Sequence, residues 1–160
     1  MTGWVSGLTF AASLGTAVVT GPLFSFSAFA LRSLGRLPAA DGIRAMQAII
    51  VDIKRPPFML PFLGTALACT VLVVHGARHL DSPSAVLRTA GAVLYLAGPL
   101  GITLLYNEPR NVALGGKDPA TREAGEYWQR YQREWQPANH VRTAMGVAAL
   151  GLLIAALQAD

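Results

Sequence analysis

Two asparagine-bearing clusters hold the residues of this sequence best suited to chemistry. They are Asn107-Glu108-Pro109-Arg110-Asn111 and Asn139-His140-Val141-Arg142-Thr143. A neutral imidazole can accept a proton, as a general base must. Asn139 reads as a helix N-cap, which puts His140 in the first turn. The positive end of the helix dipole there disfavours imidazolium. A capping or interfacial histidine explains the same residue without chemistry. His75 and His79 are spaced i,i+4, which can bring two imidazoles to one metal. Asp81 is the one acid near them in its loop, and two ligands do not make a site, so no metal is expected. The sequence has no phosphate loop, nucleophile elbow, dinucleotide fingerprint or heme attachment motif.

The elements that must position these residues are set by where charge is absent. Of 160 residues, 52% are hydrophobic and 14% charged, against about 25% charged in ordinary soluble domains. Four segments hold no Asp, Glu, Lys or Arg: Thr2–Leu31, Pro56–Ala77, Thr89–Asn107 and Thr143–Ala159, of 30, 22, 19 and 17 residues. A helix crossing the hydrocarbon core needs roughly 17–25 apolar residues. The last segment is at the lower limit and borrows His140–Arg142. A soluble bundle would show polar faces, and these segments show almost none. The expected fold is an all-α integral membrane four-helix bundle. It forms a single domain over 1–160, with helices at about 4–31, 57–77, 88–106 and 140–158.

The net charge of +4 and pI near 9.7 fit basic loops against anionic lipid better than a nucleic-acid partner. The single Cys69 lies in the second segment and cannot form an intramolecular disulfide. Ala28-Phe29-Ala30 imitates a signal-peptide cleavage site. However, no basic residue precedes the apolar run, and the run exceeds an h-region of about 7–15 residues, so an uncleaved helix is expected. Loop 32–55 carries five basic residues and loop 106–142 six, against Arg78 and Arg88 on the other side. The basic side should be cytoplasmic, with both termini non-cytoplasmic, in a bacterial inner membrane.

Gly21-Pro22 and Gly98-Pro99 interrupt the first and third helices at similar depth. Proline removes a hydrogen bond to the carbonyl four residues back, here Val18 and Tyr95. The pair either bends the helices for packing or opens one shared cavity toward the cytoplasmic leaflet. Ile43, Met46, Ile50 and Ile53 predict a short amphipathic surface helix, begun at Asp41-Gly42 and bounded by Pro56-Pro57. A second surface helix is predicted from Asp118-Pro119 to about Trp135, stopped by Pro137. It places Ala124, Trp128, Tyr131 and Trp135 on one face, with Arg122/Glu126 and Arg130/Glu134 paired on the wetter side. Gly3/Gly7 and Ala11/Gly15 allow close packing of helices, within one chain or between copies in a homo-oligomer.

These features together resemble the anthrone-oxygenase-like family of small four-helix membrane proteins. The early interrupted helix, Met46-Gln47 and Asn107-x-Pro109-x-Asn111 match. So does Trp128-x-x-Tyr131-x-x-x-Trp135-x-x-x-Asn139-His140-x-Arg142-Thr143. Glu108 and Arg110 stand where the family has apolar residues, and Ile50 where it has a polar one. The resemblance implies oxidation of an anthrone, a hydrophobic aromatic small molecule, to an anthraquinone. Molecular oxygen is the co-substrate and no cofactor is implied, because the deprotonated phenol can itself give an electron to oxygen. It implies His140 as base, and Asn107, Asn111 and Asn139 as hydrogen-bonding groups for ring oxygens. Trp128 and Trp135 would stack on the ring beside Tyr131, and Arg142 would stabilise the anion. The competing reading is a non-catalytic membrane subunit or small-molecule binder. A transporter ranks third, because no charge is expected within a span.

The basic bias predicts that a periplasm-active reporter fused to the C-terminus is active and a cytoplasm-active one is not; the reverse pattern would sink this topology.

Overall fold

The computed structural model describes residues 3–159. Residues 1, 2 and 160, the extremes of the expected 1–160 domain and the Thr2 that opens the first charge-free run, lie outside the described residues. Helix α1 (Gly3–Ser25) passes through a π-helical turn, Phe26–Ala30, into α2 (Leu31–Leu34). Helix α3 (Ala39–Asp52) follows, then α4 (Pro56–Gly76) and α5 (Pro83–Tyr95). A long π-helical segment, Leu96–Asn107, joins α5 to α6 (Glu108–Gly115), and α7 (Arg122–Gln158) completes the chain. Four continuous rods are long and apolar enough to cross a membrane: Gly3–Leu34, Pro56–Gly76, Pro83–Gly115 and Arg122–Gln158. Phe10, Leu14, Leu60, Leu63 and Leu67 point outward from them. Apolar outer faces with small and hydroxyl residues inside suit a chain solvated by lipid. The protein is an all-α integral membrane four-helix bundle.

Two apolar cores stack along the bundle. The first lies among the spans and includes Val19, Leu23, Phe62, Cys69, Leu72, Tyr95 and Leu153. The second lies at the loop end, where Ile43, Met46 and Ile50 of α3 meet Leu114 of α6 and Trp128, Tyr131 and Trp135 of α7. Helix α3 is therefore a packed structural element and not a helix floating on the lipid surface. It begins at Ala39, with Asp41 in its first turn, and Ile53 falls just past its end. Gln47 fastens it by donating from Nε2 to the Leu114 and Lys117 carbonyls at the end of α6, both at 2.9 Å.

The expected separate surface helix before the fourth span does not exist. Helix α7 runs unbroken for 37 residues, about 55 Å at 1.5 Å per residue, so nearly half of it stands clear of a ~30 Å hydrocarbon core. Its N-cap is Thr121, which accepts from the Ala124 amide at 3.2 Å, while Asp118 only closes the preceding turn. Pro137 fails to stop the helix because it sits on the exposed side, where the freed Arg133 carbonyl can reach solvent. Across it the buried face continues without a phase break: Trp128, Tyr131, Trp135, Asn139, Arg142, Gly146, Ala149 and Leu153. Burial along that stripe outweighs the roughly 3 kcal/mol cost of an interior proline. Arg122 pairs with Glu126 at 2.8 Å as expected, but Glu134 pairs with Arg110 at 2.9 Å, and Arg130 sits over the Tyr127 ring.

The third span starts earlier than expected, at Pro83, with Ser82 as its cap. Arg88 is thereby drawn inside it and buried, as Arg142 is in α7, so the spans are not free of charge. At Gly98 the backbones come close: a Cβ added there would lie 2.5 Å from the Cβ of Met145. Replacing Gly98 with Leu must push the third span off α7. The expected cost is about 1–3 kcal/mol, read as a lower thermal midpoint in detergent; an unchanged midpoint would refute the close packing.

Candidate functional site

Between the two cores lies a layer of buried polar residues: Asn107, Asn111, Asn139, Arg142 and Thr143. Arg142 is its centre. Its Nε donates to Asn139 Oδ1 at 2.8 Å and its Nη1 to Thr103 Oγ1 at 2.9 Å. Its guanidinium lies 4.8 Å from the centroid of the Trp135 ring. Among the described residues no carboxylate lies within ion-pair distance of it, and its Nη2 makes no hydrogen bond. A buried cation of this kind is costly unless hydrogen-bonded and given an anion.

Asn139 earns its place through both ends of its amide. Nδ2 donates to the Leu23 carbonyl at 2.9 Å, before the π-helical turn of the first span, and to Ser27 Oγ at 2.8 Å, within it. Ser27 also meets Thr143 Oγ1 at 3.0 Å. Asn139 is thus not an N-cap. His140 is not in a first turn, so the dipole argument for its neutrality fails, because α7 is continuous through both residues.

Asn111 anchors the other side of the layer. Its Oδ1 accepts from Tyr131 Oη at 2.8 Å and Trp135 Nε1 at 3.0 Å, and its Nδ2 donates to Glu108 Oε2 at 3.1 Å. Lys54 meets the second carboxylate oxygen of Glu108 at 2.5 Å.

A cavity of about 340 Å³ opens beside this layer, within the roughly 300–1,000 Å³ range of small-molecule sites. Its walls are apolar: Pro22, Leu23 and Phe26 from the first span, Met46, Ile50 and Ile53 from the α3 region, Phe58, Met59 and Phe62 from α4. Its polar groups are Lys54, Thr103, Glu108, Asn111 and Arg142, with Trp135 beside them. Leu104, half exposed on the outer face, also lines it, so the cavity reaches the bundle surface.

Of the residues singled out in the sequence, Arg142, Asn111 and Trp135 meet in this cavity. Asn139 stands behind Arg142. Asn107 is fully buried and donates to the Trp135 carbonyl at 3.3 Å without lining the cavity. Trp128 and Tyr131 are buried in the loop-end core, stacked with ring centroids 5.6 Å apart, where no ring-shaped ligand reaches them. His140 is exposed on the opposite side of α7, beside Leu31, Arg32, Gln132 and Gln136. Pro22 lines the cavity; Pro99 does not, although its π segment supplies Thr103 and Leu104. Thr103, Lys54 and Glu108 were missed. Glu108 carried a signal, since it replaces an apolar residue between two motif asparagines; Lys54 and Thr103 carried none.

His75 and His79 stack at 4.6 Å near Trp4, far along the chain from the polar layer. Among the described residues no three His, Cys, Asp or Glu side chains converge as a metal would need.

A family model described as anthrone oxygenase matches residues 58–152. That stretch holds α4 from Phe58, the third span and α7 through Leu152, and so every polar cavity group except Lys54. No curated protein and no solved structure matches the chain.

Replacing Asn139 with Leu strands the Leu23 carbonyl, Ser27 and the Arg142 Nε at once. At about 1–3 kcal/mol per buried unsatisfied group, the variant should lose more thermal stability than Tyr131→Phe, which removes one bond; equal midpoints would contradict the assigned network.

Proposed function

Because the chain belongs to the anthrone oxygenase family, we propose that it oxidises an anthrone-like polycyclic phenol with molecular oxygen in the cavity beside Arg142. The observation that carries this reading is the buried Arg142, hydrogen-bonded on two sides, without a carboxylate partner among the described residues and facing an apolar cavity. Such a group favours a flat, hydrophobic ligand that becomes an anion during reaction. Stabilising charge as it develops, in a water-poor site, is typically the largest catalytic term.

The chemistry balances without a further reductant: anthrone and O2 give anthraquinone and water. A base removes one proton from the ring methylene, and the charge moves onto the ring oxygen facing Arg142. The anion passes one electron to O2, and the resulting radical and superoxide combine at the former methylene carbon. The peroxide anion takes back the proton to become a hydroperoxide, which breaks its O–O bond and loses the remaining C–H proton with hydroxide as water, leaving the second carbonyl. Glu108 is the carboxylate of the cavity wall, oriented by Asn111, and is the group assigned here as the base in place of His140. Trp135, fixed by Asn111 and lying under the guanidinium, offers the ring face for stacking. With the basic loops inward, substrate dissolved in the cytoplasmic leaflet would enter sideways past Leu104.

The test is oxygen-dependent conversion of emodin anthrone by purified protein, with one O2 consumed per quinone formed. Glu108→Gln should lower turnover about 10²–10⁴-fold, and His140→Ala should stay within about twofold of the parent. Activity lost in His140→Ala and kept in Glu108→Gln would return the base to His140. Saturable binding with no oxygen uptake would favour the binding-protein reading.

A further inference from the structure

The charges of the loop end are not evenly paired. Arg44, Lys54, Arg55, Arg110, Lys117 and Arg122 each have a carboxylate partner: Asp41, Glu108, Asp52, Glu134, Glu123 and Glu126 in turn. Arg32, Arg36, Arg130 and Arg133 have none among the described residues; Arg130 lies over the Tyr127 ring, which leaves Arg32, Arg36 and Arg133. These three are not scattered. Arg32 lines a shallow pocket of about 270 Å³ with Leu31, Gln132, Gln136 and His140. Arg133 is seven residues before His140 and so shares its face of α7, two turns toward the loop end. Arg36 is four residues beyond Arg32. Among the described residues no acidic side chain lines the pocket.

The pocket lies at a defined depth. Arg32 directly follows the first charge-free segment, and His140 lies just before the fourth. On the bilayer side of them, Phe29 and Val141 are exposed apolar side chains. The site therefore has acyl-chain surface above, a cation and an imidazole at the boundary, and two further arginines below. Arg32 uses one guanidinium nitrogen on the Ala28 carbonyl at 3.1 Å, which aims the side chain and leaves its other donors open. Gln136 is held by the Phe26 and Ser27 carbonyls, and its Nε2 also lies 3.4 Å from His140 Nε2, which orients the imidazole.

We propose that Arg32 and His140, with Gln136 orienting the imidazole, form a binding site for the phosphate headgroup of an anionic phospholipid such as phosphatidylglycerol. Arg32 and His140 take the phosphate oxygens. Arginine forks suit phosphate oxygens, and basic pockets between spans at this depth recognise lipid headgroups. The site is separate from the Arg142 cavity, on the other side of α7. It gives His140 a role that needs no proton transfer.

The experiment compares thermal midpoints of the full chain in micelles doped with phosphatidylglycerol, with phosphatidylcholine, or with millimolar inorganic phosphate. Phosphatidylglycerol should raise the midpoint by roughly 5 °C and the other two should not. The Arg32→Gln/His140→Gln double variant should match the parent in phosphatidylcholine and lose the rise. If the double variant melts early, Arg32→Gln alone, an exposed change, serves for the same comparison. An equal rise with both lipids, or a full rise in the variant, would overturn the site. A rise with free phosphate equal to that with lipid would overturn the lipid assignment in favour of a soluble anion.

Discussion

A guanidinium buried between two apolar cores persists only if its surroundings supply what water no longer does. Arg142 meets that condition through Asn139, Thr103 and the face of Trp135. Each of those partners is in turn fixed by something else. Asn139 is tied to the first span at Leu23 and Ser27, and Trp135 is tied to Asn111. Thr103 stands on the π segment of the third span. Three of the four membrane-crossing rods are therefore held in register by one cation, and the cavity is the space this arrangement leaves open beside it.

The π-helical segments belong to the same account. A wider turn changes which residues face inward, and such turns are often found at functional sites. In the first span the turn at Phe26–Ala30 follows Pro22 and brings Phe26 to the cavity and Ser27 to Asn139. In the third, Leu96–Asn107 contains Pro99 and delivers Thr103 to Arg142. Both prolines thus shape the site through the backbone around them, although only Pro22 touches the cavity. The loop-end core supplies the rest: α3, clamped by Gln47, carries Met46 and Ile50 over the opening, with Ile53 just past its end. This core lies outside the spans, yet it closes a site built mostly from them.

The two faces of α7 divide the labour. The buried stripe from Trp128 to Leu153 organises the bundle and the cavity. The opposite face presents His140 to the membrane boundary beside Arg32, where Arg32, Arg36 and Arg133 have no carboxylate partner among the described residues. Motif residues adjacent in sequence, Asn139 and His140, consequently serve different surfaces. One helical step rotates a side chain by about 100°, so neighbours in a motif need not share a site.

The sequence by itself determined the membrane bundle, because a run of some twenty uncharged residues has few other stable fates in lipid and water. It also determined that Asn107, Asn111, Asn139 and Arg142 belong to one level of the structure, since both motifs lie at span ends on the same side. The continuity of α7 was legible in principle: the three-and-four spacing of buried residues passes through Pro137 unchanged, and weighting the proline above the stripe hid it. Only the tertiary structure decided which polar residue does what. Asn139 binds a carbonyl of another span, His140 turns outward, and Glu108 reaches the cavity through a partner, Asn111, that is fixed by α7. Those outcomes depend on the rotation of each helix and on contacts between residues over a hundred positions apart, which spacing along one helix does not encode.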